Sequence, residues 1–339
     1  MRRHNQFLSR TLVVIVFAAA QARSAEPDEE TTLKIGPVRL ERIEHHDRLT
    51  GQKDHFGNLL FDTDGRLVRN DGHMTWMYTG ALQENKWVSY AREFNLDTLE
   101  VSDRTQVLTP IAGDEWASIH LVIRVTDDFF VAFYSTGKLI RAALGDRPDA
   151  VLSPDADFEI RASQEWERGC SLESDGGFVK IDEDDEVLKI WMLYDTLCAG
   201  SAGQNGWAEV HIHKPSRSVK LAGKHPDNPI KLKRPDRLAA RTGGNLDSNV
   251  RFGGKYALFY LSKPDGGTYR MSVALSEDPL FQTIDENIEL AGPLGRERVI
   301  EKFQFYEHRG DLFIIYEVSD AAGDWQTGLR RYRVESSSE

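Results

Sequence analysis

The sequence predicts an all-β chain, a single five-bladed β-propeller whose ring is closed by an N-terminal strand. Three observations carry this. An apolar, aromatic run ends in a tyrosine five times, at Tyr78, Tyr134, Tyr194, Tyr260 and Tyr316, so the spacings are 56, 60, 66 and 56 residues. Each run is preceded by a strand-like segment and a polar turn, as in LVRNDGHMTWMY, VIRVTDDFFVAFY, FVKIDEDDEVLKIWMLY, NVRFGGKYALFY and FQFYEHRGDLFIIY. No amphipathic helix of ordinary length and no linker interrupts the series. A self-similar period near 60 residues with three or four strands is the mark of a propeller blade.

Taken in order, residues 1–22 read as a secretory signal. Arg2, Arg3 and Arg10 give the basic start and Thr11–Ala20 the short apolar core; Ala20-Gln21-Ala22 is the cleavage site, with a later cut after Ala25 as the alternative. The apolar run is about half of the roughly 20 residues needed to span a bilayer, so it is not read as an anchor. The expected address is secreted or periplasmic, with no membrane attachment after cleavage. Residues 26–339 form the propeller domain, and Leu33–Glu44 adds an outer strand to the last blade.

Aromatic and β-branched content marks the second strand of each blade. A third strand follows at Trp87–Glu93, Leu139–Leu144, Trp207–His213 and Tyr269–Ser276, and stretches such as LEVSDRTQVL and FQTIDENIEL supply a fourth. In the third blade, Cys170 and Cys198 lie equally far from Asp184, the middle of the turn. In an antiparallel hairpin centred there they face each other, which predicts a disulfide. These are the chain's two cysteines, a usage that fits export.

Removing the signal leaves 39 basic and 54 acidic residues, a net charge of −15. That field argues against nucleic acid and anionic membranes as partners and leaves a carbohydrate ligand open. No cofactor and no metal site is expected. His211 and His213 share a strand face but have no third ligand nearby in sequence, and the acidic run Asp182–Glu186 lacks the spacing of a calcium loop.

In a propeller the innermost strand of each blade lines the channel, and its start lies at one mouth. Counting back from each tyrosine places Asp64, His120 and Asp247 at comparable starts, with Glu173 and Asp175 in the third blade and Glu301 in the fifth. Carboxylates converging in a cleft raise one another's pKa, as general acid–base chemistry requires. Trp116 and Trp166 precede inner strands and are the best placed of the tryptophans to stack on a sugar.

The repeated strand–turn–aromatic unit and the placing of acids resemble the five-bladed glycoside hydrolases, the superfamily that includes families 43, 32, 62, 117 and 130. Asp64 and Asp247, the latter in LDSNVRFGGKYALFY, match the offset at which family 43 opens a blade with Asp. Glu173 in ESDGGFVKI is similar to the E-G-P-x-x-x-K segment of that family's general acid. The resemblance implies a glycosidase in which Asp64 activates water, Glu173 protonates the leaving oxygen and Asp247 orients Glu173. His120 would bind substrate hydroxyls or take the acid's place, as a histidine does in family 117. A carboxyl separation of about 6.5–9.5 Å between Asp64 and Glu173 would imply inversion, and one near 5 Å retention. Two other functions fit the same architecture: a non-catalytic propeller binding glycan or protein, and a polysaccharide lyase using His120 with a mouth tyrosine.

Overall fold

A computed structural model describes residues 31–50, 54–198, 203–231, 238–242, 250–263 and 270–335. The strands, in chain order, are β1 (Thr32–Ile35), β2 (Val38–His46), β3 (His55–Asp62), β4 (Met74–Gln83), β5 (Lys86–Asn95) and β6 (Thr105–Leu108). Then come β7 (Ser118–Thr126), β8 (Phe129–Ser135), β9 (Ile140–Gly145), β10 (Ser153–Ile160), β11 (Ser171–Glu183), β12 (Val187–Leu197), β13 (Asn205–His213) and β14 (Ser218–Lys224). The remainder are β15 (Leu238–Thr242), β16 (Tyr256–Lys263), β17 (Arg270–Ser276), β18 (Glu286–Ala291), β19 (Glu297–His308), β20 (Asp311–Asp320) and β21 (Trp325–Glu335). Among the described residues the helical content is a single 3-10 turn, Glu165–Glu167.

Four sheets hold these strands. One runs β1-β2-β21-β20-β19, and two are four-stranded meanders, β11 to β14 and β15 to β18. The fourth joins two meanders, β3 to β6 and β7 to β10, through a short parallel pairing of Leu60–Asp62 with Val122–Arg124. Each of the five tyrosines lies on the second strand of its own meander. Chain order dictates this pattern, because short polar turns allow only antiparallel neighbours. Two of those turns show the chemistry plainly. Glu84 and Asn85 between β4 and β5, and Arg309 and Gly310 between β19 and β20, all have positive φ. That is the two-residue hairpin geometry whose twist matches the flanking strands.

Burial follows position within a meander. The second strand β8 is buried at every residue, FFVAFYS, whereas the last strand β10 reads exposed or half-exposed at most positions. A strand covered on both faces is uniformly apolar, and an outer strand is not. Successive meanders press these faces together. Leu60 and Tyr78 meet Ile119 and Tyr134, Leu193 and Trp207 meet Leu258 and Tyr260, and Phe259 and Met271 meet Phe303 and Ile314. A further cluster joins Leu59 and Met77 to Leu121, Tyr194 and Ile315. Each fully buried side chain of this size contributes about 1.5–3 kcal/mol, so the interfaces between meanders, rather than any one sheet, hold the molecule together.

The β11–β12 hairpin has the register that its cysteines require: Ser171 faces Leu197, and Cys170 is bridged to Cys198 with Cα atoms 4.4 Å apart. Further along, β11 carries extra residues between Ser174 and Phe178, a bulge that contains Gly176 at φ +73°.

Candidate functional site

The first strands of four meanders are tied together near this bulge. A Cβ on Gly176 would lie 2.5 Å from the His120 carbonyl oxygen and 3.0 Å from Gln304 Nε2. Asn58 of β3 donates to the Ile119 carbonyl of β7 at 2.8 Å, and Gln304 of β19 donates to the Asn58 carboxamide oxygen while accepting from the Leu59 amide at 2.9 Å. Only glycine fits against the His120 carbonyl and the Gln304 and Asn58 side chains, both for its φ and for the missing Cβ. The leading ends of β3, β7, β11 and β19 therefore point to one region.

Charged groups gather at those leading ends. Glu173, 7% exposed, accepts a hydrogen bond from Lys302 Nζ at 2.7 Å. Lys302 itself has φ +53°, inside the irregular stretch of β19 between Glu301 and Gln304. Glu301 is buried and faces Glu317 in the β19–β20 ladder. Glu317 in turn accepts from His55 Nδ1. The His55 ring stands edge-on to Trp87 at 4.1 Å and tilted to Trp325 at 5.5 Å. Buried Asp195 faces Glu173 across the β11–β12 ladder. His120 of β7 is buried beside the bulge.

The structure thus brings Glu173, His120 and Glu301 to one end. It places Asp64 elsewhere. The inner strand β3 begins at His55 and ends at Asp62, so Asp64 lies in the turn that follows the strand, not at its start. Asp62 folds that turn by accepting from the Asp64 and Arg66 amides, each at 2.9 Å. The Asp64 side chain is 42% exposed and pairs with Lys180 and Arg66. Its hydrogen bond from Lys180 lowers its pKa, more than desolvation raises it. Glu173 and Lys180 pair with Asp195 and Ile190 of β12, five residues apart or about 17 Å along the strand, so Lys180 holds Asp64 toward the opposite end of β11 from Glu173. The two carboxyls do not face each other, and the separation criterion for stereochemistry has no purchase on them.

Asp247 lies outside the described residues. Asp175 belongs to the β11 bulge by its backbone. Trp116 is half-buried and bridges to Trp87, which places it on the same side as His55. Trp166 sits on the 3-10 turn, stacked on Tyr194 at 5.8 Å with its indole N–H donated to Gln164 at 2.6 Å. The stacking and the hydrogen bond both hold the indole within the fold. His211 pairs with Glu209 at 2.7 Å on its own strand. Among the described residues no group of three or more His, Cys, Asp or Glu is arranged to hold a metal ion.

Sequence reasoning missed a second set of acids, which precede or begin the inner strands. Asp54 pairs with Arg92 and Arg104, Asp114 with Arg141 at 3.2 Å, Glu167 with Lys224 at 2.6 Å and Glu297 with Arg330 at 2.6 Å. Glu167 also accepts from the Tyr194 hydroxyl at 2.6 Å, and Glu297 accepts from the Tyr316 hydroxyl. Burial pushes the Glu167 carboxyl up, but backbone amides, Lys224 and Tyr194 outweigh it and hold the group below its ordinary value. Burial likewise raises Glu297, and Arg330, His45 and Tyr316 reverse the sign. Burial and the neighbouring Glu167 hold Tyr194 protonated far above the usual range. These pairs are anchors. The signal for the first two lay in Arg92 of WVSYARE and Arg141 of LIRAAL, third-strand arginines that have no reason to be in buried strands unless an acid meets them.

No protein-family model and no curated relative matches the sequence. Solved structures match its fold. A glycoside hydrolase superposes with a TM-score of 0.58 at 13% identity, over 89% of this chain and 90% of its own. A complex of BT0996 with RGII gives a TM-score of 0.57 at 13% identity over 89% and 90%. A GH43_1 enzyme from Xanthomonas citri gives 0.50 at 12% identity over 84% and 89%. At such identities the likeness is one of fold, and it agrees with the resemblance to the propeller glycoside hydrolases read from the repeats.

Proposed function

We propose that this protein is an exported glycoside hydrolase, a closed five-bladed β-propeller that hydrolyses glycosidic bonds of poly- or oligosaccharide at the leading ends of its inner strands, with Glu173 as general acid. The observation that carries the reading is the place of Glu173. It is a nearly buried carboxyl on β11, at the end where β3, β7 and β19 also converge, in a chain that folds like glycoside hydrolases. Five meanders, one per tyrosine, support the blade count, and the pairing of β2 with β21 supports closure by the N-terminal segment. The disulfide and the basic–apolar N-terminal stretch support export to a secreted or periplasmic address.

In this reading the sugar ring settles over the strand ends, and Glu173 gives its proton to the oxygen that leaves. Lys302, which donates to Glu173 at 2.7 Å, favours the carboxylate that remains once the proton has been given up. His120 lies beside the bulge, within the same layer, and serves substrate positioning, as does Glu301. Trp116 stands at the rim of that layer. Asp64, held by Lys180 at the far end of β11, is left with a structural part. A role for Asp247 in orienting Glu173 rests on the sequence likeness alone.

The test is turnover of a panel of aryl glycosides and oligosaccharides by wild type, Glu173→Gln and Asp64→Asn. Glu173→Gln is expected to lose about 100-fold or more on oligosaccharide, the range for a general acid, and Asp64→Asn to stay near wild type. Unimpaired turnover by Glu173→Gln removes the assignment. Saccharide binding without cleavage by wild type would make the protein a glycan-binding propeller instead.

A further inference from the structure

With Asp64 held by Lys180 toward the other end of β11, the proposed hydrolysis needs another group to take the proton from water. We propose that His55, held by Glu317, is that group; the inference rests on the glycosidase reading above. His55 opens β3 at the end where Glu173, the third residue of β11, stands. Its side chain is 14% exposed, so one part of the ring reaches the surface while the rest is enclosed. Trp87 and Trp325 stand against the ring at 4.1 and 5.5 Å and restrict its rotation.

Its Nδ1 is bound to the Glu317 carboxylate, which is itself buried on β20. With Nδ1 donating to a carboxylate, Nε2 is the acceptor nitrogen of the neutral ring, and the carboxylate fixes that tautomer and the ring's orientation. A surface ion pair needs neither the burial nor the two indole walls.

Position links the pair to Glu173. Glu317 faces Glu301 in the β19–β20 ladder, and the next residue, Lys302, binds Glu173 at 2.7 Å. Asp54 is engaged by Arg92 and Arg104, and Thr327 donates to the Asp54 carbonyl at 3.3 Å. The layer at the leading ends therefore carries a carboxyl on one inner strand and an oriented imidazole on another. That is an acid and a base with different chemistry, in place of two carboxylates.

The step balances. A water molecule gives one proton to His55 Nε2 while its oxygen bonds to the anomeric carbon. The bond from that carbon to the bridging oxygen breaks, and the bridging oxygen takes the Glu173 proton. Products are a reducing-end sugar and an alcohol. The enzyme is left with imidazolium and carboxylate, and proton exchange with solvent resets both.

The experiment measures kcat and KM of the full chain and its His55→Gln, Glu317→Gln and Glu173→Gln variants. Each is assayed on dinitrophenyl glycosides, whose leaving group needs no proton, and on an oligosaccharide. His55→Gln is expected to lose about 100-fold in kcat on both substrate types, because attack slows whatever departs. Azide should restore turnover on the dinitrophenyl substrate with a glycosyl azide as product, a readout that a merely misfolded variant does not give. Glu317→Gln is expected to lower kcat about tenfold with KM unchanged, as a positioning residue should. Glu173→Gln should lose more on the oligosaccharide than on the dinitrophenyl glycoside. A His55→Gln variant within threefold of wild type, or one impaired on the oligosaccharide alone, overturns the inference and leaves the glycosidase reading standing. A wild type that turns over no glycoside overturns both.

Discussion

Replacing Arg330 by Met tests the claim that buried acid–cation pairs anchor the meanders. The guanidinium donates to Glu297 at 2.6 Å, to the Gly292 carbonyl at 2.9 Å and to the Tyr316 hydroxyl at 3.1 Å, and both charged residues are fully enclosed. Removing one partner of a buried pair costs about 3–5 kcal/mol, because the other charge is stranded. Glu297 would keep three donors, His45 Nε2 at 2.8 Å, the Leu294 amide at 2.6 Å and the Tyr316 hydroxyl. The expected loss is therefore at the low end, about 3 kcal/mol at pH 7.

The pH dependence gives the sharper check. In the wild type burial raises the Glu297 pKa, but Arg330 and the other donors hold it below its ordinary 4.5. A carboxyl depressed in the folded state contributes stability above its unfolded pKa and loses that contribution as pH falls through the folded value. Without Arg330 burial is less opposed, the carboxyl titrates higher, and the variant discharges its stranded charge by taking up a proton. The difference between the two proteins should thus shrink from about 3 kcal/mol at pH 7 to about half that near pH 4. Urea unfolding followed by tryptophan fluorescence at both pH values measures it. A loss below about 1 kcal/mol at pH 7, or an equal loss at both pH values, refutes the reasoning.

Two further substitutions probe the third meander. Replacing Cys170 and Cys198 together by Ser opens a loop spanning 28 residues and should lower stability by about 3.5 kcal/mol in the loop-entropy account; a change under about 1 kcal/mol in chemical denaturation would contradict it. Gly176→Ala adds a Cβ 2.5 Å from the His120 carbonyl at a positive φ, and should cost at least about 2 kcal/mol, whereas Gly72→Ala, at φ +80° with nothing within 4 Å, should cost about 1. Equal melting temperatures for the two alanine variants would show that the convergence at Gly176 is not tight.

The tyrosine period made most of the fold legible. Tyr78, Tyr134, Tyr194, Tyr260 and Tyr316 all fall on the second strands, because a strand covered on both faces must be apolar throughout and so stands out in the sequence. The Cys170–Cys198 register was legible for the same reason: β12 is long and its turn is marked by acids. The inner strands were harder to place. A fixed count back from each tyrosine works where only Asp127 and Asp128 separate β7 from β8, and it finds His120. In the first meander residues 63–73 intervene between β3 and β4, and the count lands on Asp64 in the connection. His55 went unassigned because its partner, Glu317, is 262 positions away. Local pattern carries no trace of such a pair. Asp54, Asp114 and Glu297 were passed over because an acid ahead of a strand reads as a solvated turn until its arginine, from the third strand, is seen to cover it.

The ladder between β2 and β21 constrains how the protein can be made. Arg39 to His46 find their hydrogen-bond partners at Leu329 to Glu335, and within that ladder Glu44 and Arg331 are 287 positions apart. The ribosome must add that whole span before the two strands can meet. Until then β1 and β2 have no sheet to join, and β19 to β21 have no outer cover. Translation therefore runs well ahead of the folding of this sheet, while the sheets built from β3 to β18 have all their strands before it can close.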